Sequence, residues 1–417
     1  MPQLSDDCFA FGGTLLSVEA ALARIDERVA PVVDSESVPL AGAAGRILAR
    51  DLMAELDLPP HANSAVDGYA LGHADLLPDL ETVLPVGGRA AAGHPLGRPA
   101  RRGEAIRIFT GAVMPEGADT VMMQEDCVAE AGTVRLKPGI KRGANCRRAG
   151  EDVAAGAVAL AAGRRLGPAE LGLAAALGRD RLEVRRPLRA ALLSTGDEVR
   201  NPGTILPPGA IYDANRFMLR ALLEHLGCVV SDLGIGPDRE AGLADTLAAA
   251  ACGHDLIVTS GGVSTGEEDH VKAAVERLGS LHFWRLAVKP GRPVALGQVR
   301  GTPLIGLPGN PVAAIVTFVV LARPLILKLA GAAAAPPRLY PVRAGFAHKK
   351  RPGRREYLCV SLTRDREAMT AVKFPRDGAG ILSSVVQSDG LAILDETIAD
   401  LVPGQALDFL PFAEVLG

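Results

Sequence analysis

The sequence predicts a multi-domain α/β protein whose central unit is a doubly wound parallel sheet. The chain has 417 residues, which is enough for two to four domains at about 100 to 200 residues each. Between residues 188 and 330, apolar strand-like runs alternate with helical segments at the spacing of βαβ units. Before and after this region, short apolar segments separated by glycine and proline favour small β-domains.

Composition and charge exclude several classes of function. Lys and Arg number 45 against 48 Asp and Glu, a formal charge of -3, so no overall field would draw the chain to nucleic acid or to an anionic membrane. Aromatic residues make up 4% of the chain, which is too few for extended base-stacking surfaces. We therefore expect neither nucleic acid nor a membrane among the partners.

The N-terminus and the cysteines favour a cytoplasmic protein. The first residues lack a basic segment ahead of an apolar one, so no secretory signal is expected. The longest apolar run, 311–322, is shorter than a membrane span and is stopped by Arg323 and Pro324, so we expect a buried helix there. The six cysteines are far apart and form no CxxC pair, which gives no support to a disulfide framework or a zinc site.

The N-terminal part is predicted to be a helical domain interrupted by a small β-domain. Ser17 is a suitable N-cap for a helix that runs toward Val29. Further helices are predicted over 40–53 and 168–177, and short strand-like runs between them include 105–109 and 120–123. The predicted limits are 1–54 with 152–186 for the helical domain and 55–151 for the β insertion.

The α/β domain, predicted over 187–332, has the most regular pattern. Strands or extended segments are predicted at 188–194, 229–235, 256–259, 282–288, 294–296 and 303–307. Helices are predicted at 215–226, 239–251, 269–278 and from Pro311 onward. After a linker at 331–337, strand-like runs at 357–362 and 391–394 predict a separate C-terminal β-domain over 333–417.

Polar and glycine-rich clusters follow the predicted strands. They are Thr195-Gly196-Asp197-Glu198, Gly236-Pro237-Asp238, Ser260-Gly261-Gly262-Val263-Ser264 with Asp269 beyond it, Lys289-Pro290-Gly291-Arg292, and Pro308-Gly309-Asn310-Pro311. The carboxyl ends of parallel strands lie at one edge of the sheet, and ligands bind there in doubly wound folds. Each cluster alone is most simply a turn or a helix cap, but their convergence on one edge favours a binding site.

The glycines and the helix start at this edge suit an anion such as phosphate. Gly261, Gly262 and Gly309 allow backbone N-H groups to approach an anion. The helix that starts at Pro311, capped by Asn310, turns its positive end to the same edge.

Charged side chains extend this prediction to a metal-bridged phosphate ester. Lys289 supplies a mobile positive charge, and Arg292 supplies one that can bind an anion in a bidentate way. Oxygen ligands of the kind that Mg²⁺ takes are supplied by Glu198, Asp238 and Asp269. The basic run 348–355 is either a solvated face or, through Arg354, a further anion contact.

Several of these stretches resemble a known family. STGDE (194–198), IYDANR (211–216), SGGVSTGEEDH (260–270), KPGRP (289–293) and LPGNP (307–311) resemble motifs of the molybdopterin molybdenumtransferase family, MoeA, to which the C-terminal domain of gephyrin also belongs. Similar to its other signatures, in the same order, are LPPHANSAVDGYA (58–70), IRIFTGAVMPEGADTVMMQED (106–126), RRAGEDV (147–153) and KKRPGRREY (349–357). The resemblance covers nearly the whole chain.

The resemblance implies four domains in an elongated homodimer: the interrupted helical domain, the β insertion, a molybdopterin-binding α/β domain and a C-terminal β-barrel-like domain. It implies insertion of molybdate into adenylylated molybdopterin with Mg²⁺, releasing AMP and the molybdenum cofactor. The β insertion of one subunit would meet the α/β domain of the other. Transient contacts with the adenylyltransferase and with apo-molybdoenzymes are expected on the same grounds.

By motif position, the resemblance implies two sets of functional residues. The predicted catalytic residues are Asp67, Thr110, Arg147, Asp152, Glu198, Asp238, Asp269 and Lys289, with Glu198, Asp238 and Asp269 as metal ligands. The predicted substrate-binding residues are Thr195, Gly196, Asp197, Asp213, Asn215, Ser260, Gly261, Gly262, Ser264, Arg285, Arg292, Pro308, Gly309, Asn310 and Pro311. Arg285 stands where a lysine is common, which keeps the charge but changes its geometry.

Two other functions remain open at this point. An adenylyltransferase acting one step earlier uses a similar molybdopterin-binding domain, although the regions 1–186 and 338–417 around it argue against that function. A non-catalytic carrier or scaffold is the second alternative. It would not need the whole acidic set, which comprises Asp67, Asp152, Glu198, Asp238 and Asp269.

Overall fold

The computed structural model describes residues 15–236, 240–262, 270–364 and 368–416. Within them the chain forms a large α/β sheet, a second sheet in the β insertion and a closed β-barrel near the C-terminus. The predicted multi-domain α/β class is confirmed. Three predicted site residues, Asp238, Ser264 and Asp269, lie outside the described residues.

The described chain begins with helix α1 (Val18–Arg28), followed by strands β1 (Ser35–Pro39) and β2 (Leu52–Met53). Ser17 caps α1 as predicted, because its hydroxyl accepts a hydrogen bond from the backbone N-H of Ala20 at 3.1 Å. The buried face of α1 belongs to the same apolar core as the central sheet. Helix α1 therefore packs onto the α/β domain.

The helix predicted over 40–53 is wrong. The structure has a 3-10 turn at Leu40–Gly42, followed by a further turn, two isolated bridge residues and a bend before β2. Gly45 has a φ of 74°, in the left-handed region that a right-handed helix cannot accommodate. Leu48, which is buried, forms a β-bridge with Val184. Its burial against a neighbouring strand produced the apolar spacing that looked helical.

The β insertion contains strands β3 to β10. Their bounds are β3 Asn63–Ser64, β4 Gly68–Leu71, β5 Thr82–Ala90, β6 Ala105–Ile108, β7 Thr120–Met123, β8 Cys127–Glu130, β9 Thr133–Leu136 and β10 Cys146–Arg147, with 3-10 turns at His73–Asp75 and Gln124–Asp126. One sheet has the order β7-β4-β6-β5-β9-β8. The runs predicted at 105–109 and 120–123 correspond to β6 and β7.

After the insertion the chain returns through β11 (Val158–Leu160), α2 (Pro168–Ala176) and β12 (Arg181–Arg185). Strand β12 pairs antiparallel with β1, and β11 pairs antiparallel with β2. The segments on either side of the insertion therefore build one unit, which is the arrangement expected of an interrupted domain. The exact limits of the domains stay predictions.

The central sheet is mixed. Its region contains β13 Arg189–Ser194, β14 Val199–Arg200, β15 Ile211–Tyr212, α3 Asn215–His225, β16 Val229–Ile235, α4 Glu240–Gly253, β17 Leu256–Ser260, α5 His270–Leu278, β18 Gly279–Arg285, β19 Val288–Lys289, β20 Pro293–Val299 and β21 Thr302–Leu307. The sheet order is β16-β13-β17-β21-β20-β18. The four neighbouring strands β16, β13, β17 and β21 are parallel to one another. Strand β20 runs antiparallel to both of its neighbours, β21 and β18.

Strand β20 corrects the prediction of a wholly parallel sheet. It joins β21 through Arg300 and Gly301, whose φ values of 48° and 82° are both positive. Two such residues form the tight turn of a β-hairpin, but Arg-Gly lacks the Asn or Asp that usually marks it in sequence. Because β18 and β21 both oppose β20, β18 ends at the same edge as the parallel strands. The segment after β18 therefore still reaches the predicted site edge.

A long buried helix follows β21. It consists of α6 (Pro311–Thr317), a π-helical turn (Phe318–Ala322) and α7 (Arg323–Leu329) in unbroken succession. The helix continues past Arg323 and Pro324, where the apolar run of the sequence ends, because a wider π turn precedes the proline where a regular helix would clash with its ring. By length and composition the helix could cross a membrane, since its mean hydropathy is 2.1. However, 78% of its most apolar 18-residue stretch is buried inside the protein. The expected buried helix is confirmed.

The C-terminal region forms a closed β-barrel. Its elements are β22 Tyr340–Ala344, β23 His348–Lys349, β24 Arg355–Arg364, β25 Met369–Lys373, α8 Ser383–Val386, β26 Gly390–Leu394, β27 Asp400–Leu401, β28 Ala406–Pro411 and α9 Phe412–Val415. The order β24-β25-β22-β28-β26 closes because β26 pairs back with β24. Strand β19 of the α/β region adds to β24 in parallel, so backbone pairing fastens the barrel to the α/β domain.

A buried carboxylate ties the chain before β13 to β17. Asp255, whose side chain is 1% exposed, accepts hydrogen bonds from Arg186 at 2.9 and 3.0 Å and from the backbone N-H of Arg189 at 2.8 Å. Burial alone would raise the pKa of Asp255, but these hydrogen bonds outweigh it and hold that pKa below its ordinary value. The ionised carboxylate therefore stabilises the folded state at neutral pH.

We predict that Asp255→Asn lowers the free energy of unfolding by about 2 to 3 kcal/mol at pH 7, since it leaves two arginines without their buried anionic partner. Because the folded-state pKa is lowered, the stabilisation is complete above the ordinary Asp pKa of about 3.9 and is lost as the pH falls through the folded-state value. Urea unfolding at pH 7 and pH 3 measures both effects.

The difference between wild type and Asp255→Asn should shrink at pH 3. Asp400→Asn is the matched control, since Asp400 makes an exposed 4.0 Å pair with Lys349, and it should cost less than about 0.5 kcal/mol. Equal stability of Asp255→Asn and wild type at pH 7 would contradict the assigned role.

Candidate active site

A cavity of about 980 Å³ lies at the carboxyl edge of the central sheet. The ends of β13, β17 and β21 and the start of α6 form it. The predicted site residues that line it are Thr195, Gly196, Asp197, Glu198, Asp213, Asn215, Ser260, Gly261, Gly262, Pro308, Gly309, Asn310 and Pro311. The structure thus brings together most of the residues predicted at this edge.

The loops after β13 and β17 are held against each other by backbone contacts. The N-H of Thr195 donates to the carbonyl of Ser260 at 2.9 Å, and the N-H of Gly261 donates to the carbonyl of Leu307 at 3.0 Å. The expectation that the Gly261 N-H approaches an anion is therefore wrong. Gly261 has a φ of 86°, and a Cβ there would come within 2.5 Å of the Thr195 carbonyl oxygen. The close approach of two loops requires this glycine.

Asn215 joins three of the loops around the cavity. It is 7% exposed, at the start of α3. Its Nδ2 donates to Ser260 Oγ at 2.9 Å and to the carbonyl of Gly309 at 2.7 Å, with the Pro308 carbonyl at 3.4 Å. The amide donors of Asn215 are thus used within the protein, where they fix the loops that face a ligand.

Asp213 is also engaged inside the protein. The Nε of Arg216 donates to Asp213 at 2.9 Å, and the Nη1 of the same arginine donates to both oxygens of Asp232 at 2.7 and 2.8 Å. Burial would raise the pKa of Asp232, but the hydrogen bonds from Arg216 outweigh it and lower that pKa. A further contact with Asn201 completes this network. The negative charge of Asp213 is therefore balanced by a buried arginine rather than offered to a ligand.

Negative charge dominates the rest of the lining. Among the described lining residues, the ionisable ones are Asp197, Glu198, Tyr212, Asp213 and His270, without Lys or Arg. The described part of the chain holds no group of three or more His, Cys, Asp or Glu that could bind a metal, and two of the predicted ligands fall outside that part. An exposed carboxylate such as that of Glu198 still suits Mg²⁺, which often takes one or two carboxylates and completes its shell with phosphate and water.

The barrel region contributes to the wall of this cavity. Asn310 is the N-cap residue of α6 as predicted, but its side chain makes no capping hydrogen bond. The N-H of Val312 donates instead to the carbonyl of Ala379 at 2.9 Å, which satisfies one of the free donors of the helix end. The neighbouring Gly380 lines the cavity.

A second cavity, of about 490 Å³, adjoins the first and shares Pro293, Pro308 and Asn310 with it. Its charged lining residues are Lys289, Arg354, Lys373 and Arg376, against Glu356 and Asp377, and His348 lines it as well. We call the two spaces the acidic cavity and the basic cavity. Of the two interpretations of the run 348–355, the structure favours a cavity contact for Arg354 over a purely solvated face.

Two predicted anion contacts lie apart from both cavities. Arg285, at the end of β18, is exposed, and Arg292, just before β20, is half-buried. Neither lines the acidic or the basic cavity. Their predicted contact with a ligand gains no support from this arrangement.

The predicted catalytic residues in and directly after the β insertion are likewise absent from both cavities of their own chain; they are Asp67, Thr110, Arg147 and Asp152. The backbone N-H and the hydroxyl of Thr110 both donate to Asp67 Oδ1 at 2.8 Å. These hydrogen bonds hold the pKa of Asp67 below its ordinary value. Asp67 therefore carries a fixed negative charge on the insertion, and within one chain it does not meet the α/β site.

Sequence reasoning missed several residues at the cavities. Ser194 lines the acidic cavity, is 1% exposed, and its Oγ has no hydrogen-bond partner. His270 also lines this cavity. Both stand inside motifs already noted at strand ends, STGDE and SGGVSTGEEDH, so their place in those motifs could have indicated them. His348 and Glu356 of the basic cavity come from the barrel; they lie in the stretches 348–355 and 349–357 already noted in the sequence, where Arg354 alone is indicated as a contact.

The chain matches three family descriptions in succession. Residues 16–178 match the MoeA N-terminal region (domain I and II), 191–328 a probable molybdopterin binding domain, and 341–412 the MoeA C-terminal region (domain IV). The molybdopterin molybdenumtransferase of Haemophilus influenzae is 38% identical over 97% of this chain and 100% of its own length. Molybdopterin molybdenumtransferase 2 of Mycobacterium tuberculosis is 36% identical over 89% of this chain and 93% of its own.

Solved structures agree with these matches. A crystal structure of the molybdopterin biosynthesis MoeA protein from Pyrococcus horikoshii OT3 has a TM-score of 0.81 at 26% identity and covers 95% of this chain and 100% of that one. A second MoeA structure from Pyrococcus horikoshii has a TM-score of 0.75 at 30% identity, over 96% and 99% of the two chains. Because the likeness extends over nearly the full length of both sequence and fold, this chain belongs to the MoeA family, the molybdopterin molybdenumtransferases of molybdenum cofactor biosynthesis.

Proposed function

We propose that this chain inserts molybdate into adenylylated molybdopterin in a Mg²⁺-dependent reaction that releases AMP. The observation that carries the proposal is the acidic cavity, which residues of five family-like motifs line at one sheet edge. Its volume of about 980 Å³ is at the upper end of the range for small-molecule sites. A ligand that combines a pterin with a nucleotide is of suitable size.

The charge of the acidic cavity supports a divalent cation. A phosphoanhydride is anionic, and the described lining offers it Asp197 and Glu198 but no Lys or Arg. A phosphate placed beside those carboxylates would be repelled unless a cation lay between them. Glu198 is the described residue that would hold Mg²⁺, with Asp238 and Asp269 as the further predicted ligands. When bound, the ion would polarise the phosphate oxygens and neutralise charge.

The side chains of this chain would bind, position and stabilise rather than form a covalent intermediate. The loops fixed by Asn215 would seat the substrate, and Glu198 or Asp152 would orient the attacking oxygen of molybdate or water. The cations of the basic cavity suit the oxyanion substrate. Lys289, which lines that cavity, would stabilise negative charge as it develops on the departing AMP.

A homodimer with shared sites forms the second part of the proposal. The catalytic candidates on the β insertion do not line the cavities of their own chain. If they act in the reaction, a second copy has to bring them to the acidic cavity, and a twofold dimer would form two equivalent sites in this way. Cytoplasmic localisation and transient contacts with the adenylyltransferase and with apo-molybdoenzymes belong to the same proposal.

The proposal predicts molybdate-dependent release of AMP. Purified protein mixed with adenylylated molybdopterin, Mg²⁺ and molybdate should release AMP and reconstitute an apo-molybdoenzyme, and chelation of Mg²⁺ should abolish both. Consumption of ATP with no AMP released from the adenylylated substrate would indicate the adenylyltransferase instead. Binding of molybdopterin without molybdate-dependent turnover would indicate a carrier.

Shared sites predict recovery of activity in mixed dimers. Asp67→Asn and Glu198→Gln should each lower AMP release about 100-fold, because each removes a charge at the reacting groups, while thermal unfolding stays near wild type. After subunit exchange, about half of the dimers carry one variant chain of each kind, and one of the two sites in such a dimer is intact. The mixture should therefore recover about a quarter of wild-type activity. If exchange is complete by mass spectrometry and no activity returns, the sites are not shared.

The loop contacts of Asn215 predict a strong effect of Asn215→Asp. The substitution keeps the shape but turns two hydrogen-bond donors into a carboxylate that faces the carbonyls of Pro308 and Gly309. It should lower kcat/KM at least about tenfold and the free energy of unfolding by about 2 kcal/mol.

Asn201→Asp is the matched control for Asn215→Asp, because the side chain of Asn201 accepts a hydrogen bond from Arg216 and the aspartate keeps that acceptor. Steady-state AMP release and urea unfolding should stay near wild type in this variant. Equal effects of the two substitutions would show that the donors of Asn215 have no special role.

A further inference from the structure

The junction between the α/β domain and the barrel places Lys289 opposite Glu356. Strand β19 pairs in parallel with β24, with Val288 opposite Arg355 and Lys289 opposite Glu356. The N-H of Arg355 donates to the carbonyl of Ala287 at 2.8 Å. Backbone pairing between two domains therefore sets the separation of these two side chains.

The carboxylate of Glu356 is buried and has two partners. The residue is 3% exposed. Each of its oxygens lies 3.3 Å from the Nζ of Lys289, and Oε2 also lies 3.0 Å from the Nε2 of His348. A buried carboxylate is stable only when it is paired and hydrogen-bonded, and Lys289 and His348 meet this requirement from two domains.

Lys289 differs from Glu356 in its exposure. Its side chain is 55% exposed, against 5% for that of Glu356, and it lines the basic cavity. One side of the ammonium is thus held by the buried carboxylate, while the rest stays accessible to a ligand. An unheld lysine would sample many rotamers around its four-carbon stem.

The strand that carries Glu356 is fixed at the neighbouring residue. Arg355 pairs with Glu19 of α1 at 2.6 Å and with Glu396 of the barrel at 3.1 Å. In the loop before it, the Nζ of Lys350 donates to the carbonyl of Arg354 at 2.7 Å. Because its backbone is anchored in this way, Glu356 determines the position of Lys289 and not the reverse.

We propose that Glu356 is a positioning residue of the reaction: from the barrel domain it holds the Lys289 ammonium at the basic cavity, with His348 as the second donor that orients the carboxylate. This inference rests on the proposed function, because Lys289 has its role only there. Glu356 itself need not touch the substrate. Its contribution is to keep a flexible cation where charge develops in the transition state.

The inference predicts a loss of kcat at nearly constant KM. Glu356→Gln should lower kcat for AMP release about tenfold or more and change KM less than about twofold, because a mispositioned Lys289 weakens the transition state more than substrate binding. Glu356→Asp keeps the charge, and the long lysine stem can follow the shorter side chain. This variant should stay within about threefold of wild type.

A double-mutant cycle with Lys289→Met separates positioning from a purely structural role. If Glu356 acts through Lys289, adding Glu356→Gln to Lys289→Met should change the single-turnover rate less than about twofold. Asp400→Asn is the control, since it removes a carboxylate charge from the barrel that pairs with Lys349 and not with Lys289, and it should keep wild-type kcat.

Each of the following results would overturn the inference: a further tenfold loss in the double variant, no rescue in Glu356→Asp, or a rise in KM with kcat unchanged. Absence of molybdate-dependent AMP release in the wild type would instead remove the proposed function, and the inference with it. A wild-type enzyme that turns over while Glu356→Gln matches it would remove the inference alone.

Discussion

The register of three parallel strands is the constraint on which the active site depends. Ser194 of β13 lies opposite Ser260 of β17, which lies opposite Leu307 of β21. The strands therefore end at one level, and the loops after them start side by side. Since side chains alternate between the faces of a sheet, a slip of one residue would turn these loop residues away from one another. The amide of Asn215 then locks the loops in that register.

The small net charge of the chain conceals a separation of charge at the site. The acidic cavity and the basic cavity share a wall at Pro293, Pro308 and Asn310. Asp213 faces the acidic cavity but is balanced within the protein by Arg216, whereas Lys289 is paired with Glu356 on one side only and stays accessible in the basic cavity. What a ligand meets is therefore set by the groups that remain after internal pairing. A count of charges in the motifs does not reveal this difference.

Sequence signals predicted correctly those elements whose structure is determined by neighbouring residues in the chain. The cap at Ser17, the strands and helices of the α/β region and the clusters at the strand ends all follow from propensity, turn chemistry and period. The misses have two kinds of cause: contacts with distant parts of the chain, and one turn that lacks the usual residues. The segment at 40–53 is not helical because it packs against a returning strand, and the N-H of Gly261 is used by a neighbouring strand. The Arg300-Gly301 hairpin uses an unusual residue pair. Glu356 reaches the site from a domain more than 60 residues after Lys289 in the chain.

The hydrogen bond between the N-H of Val312 and the carbonyl of Ala379 links the first turn of the long buried helix to the barrel domain. The pairing of β19 with β24 makes a second backbone link between the same two domains. A rotation of the barrel would strain both links together, because the barrel carries one partner of each. The two links therefore fix the orientation of a domain that supplies little of the acidic cavity but most of the lining of the basic cavity, so a joint between domains sets how the two ligand spaces lie against each other.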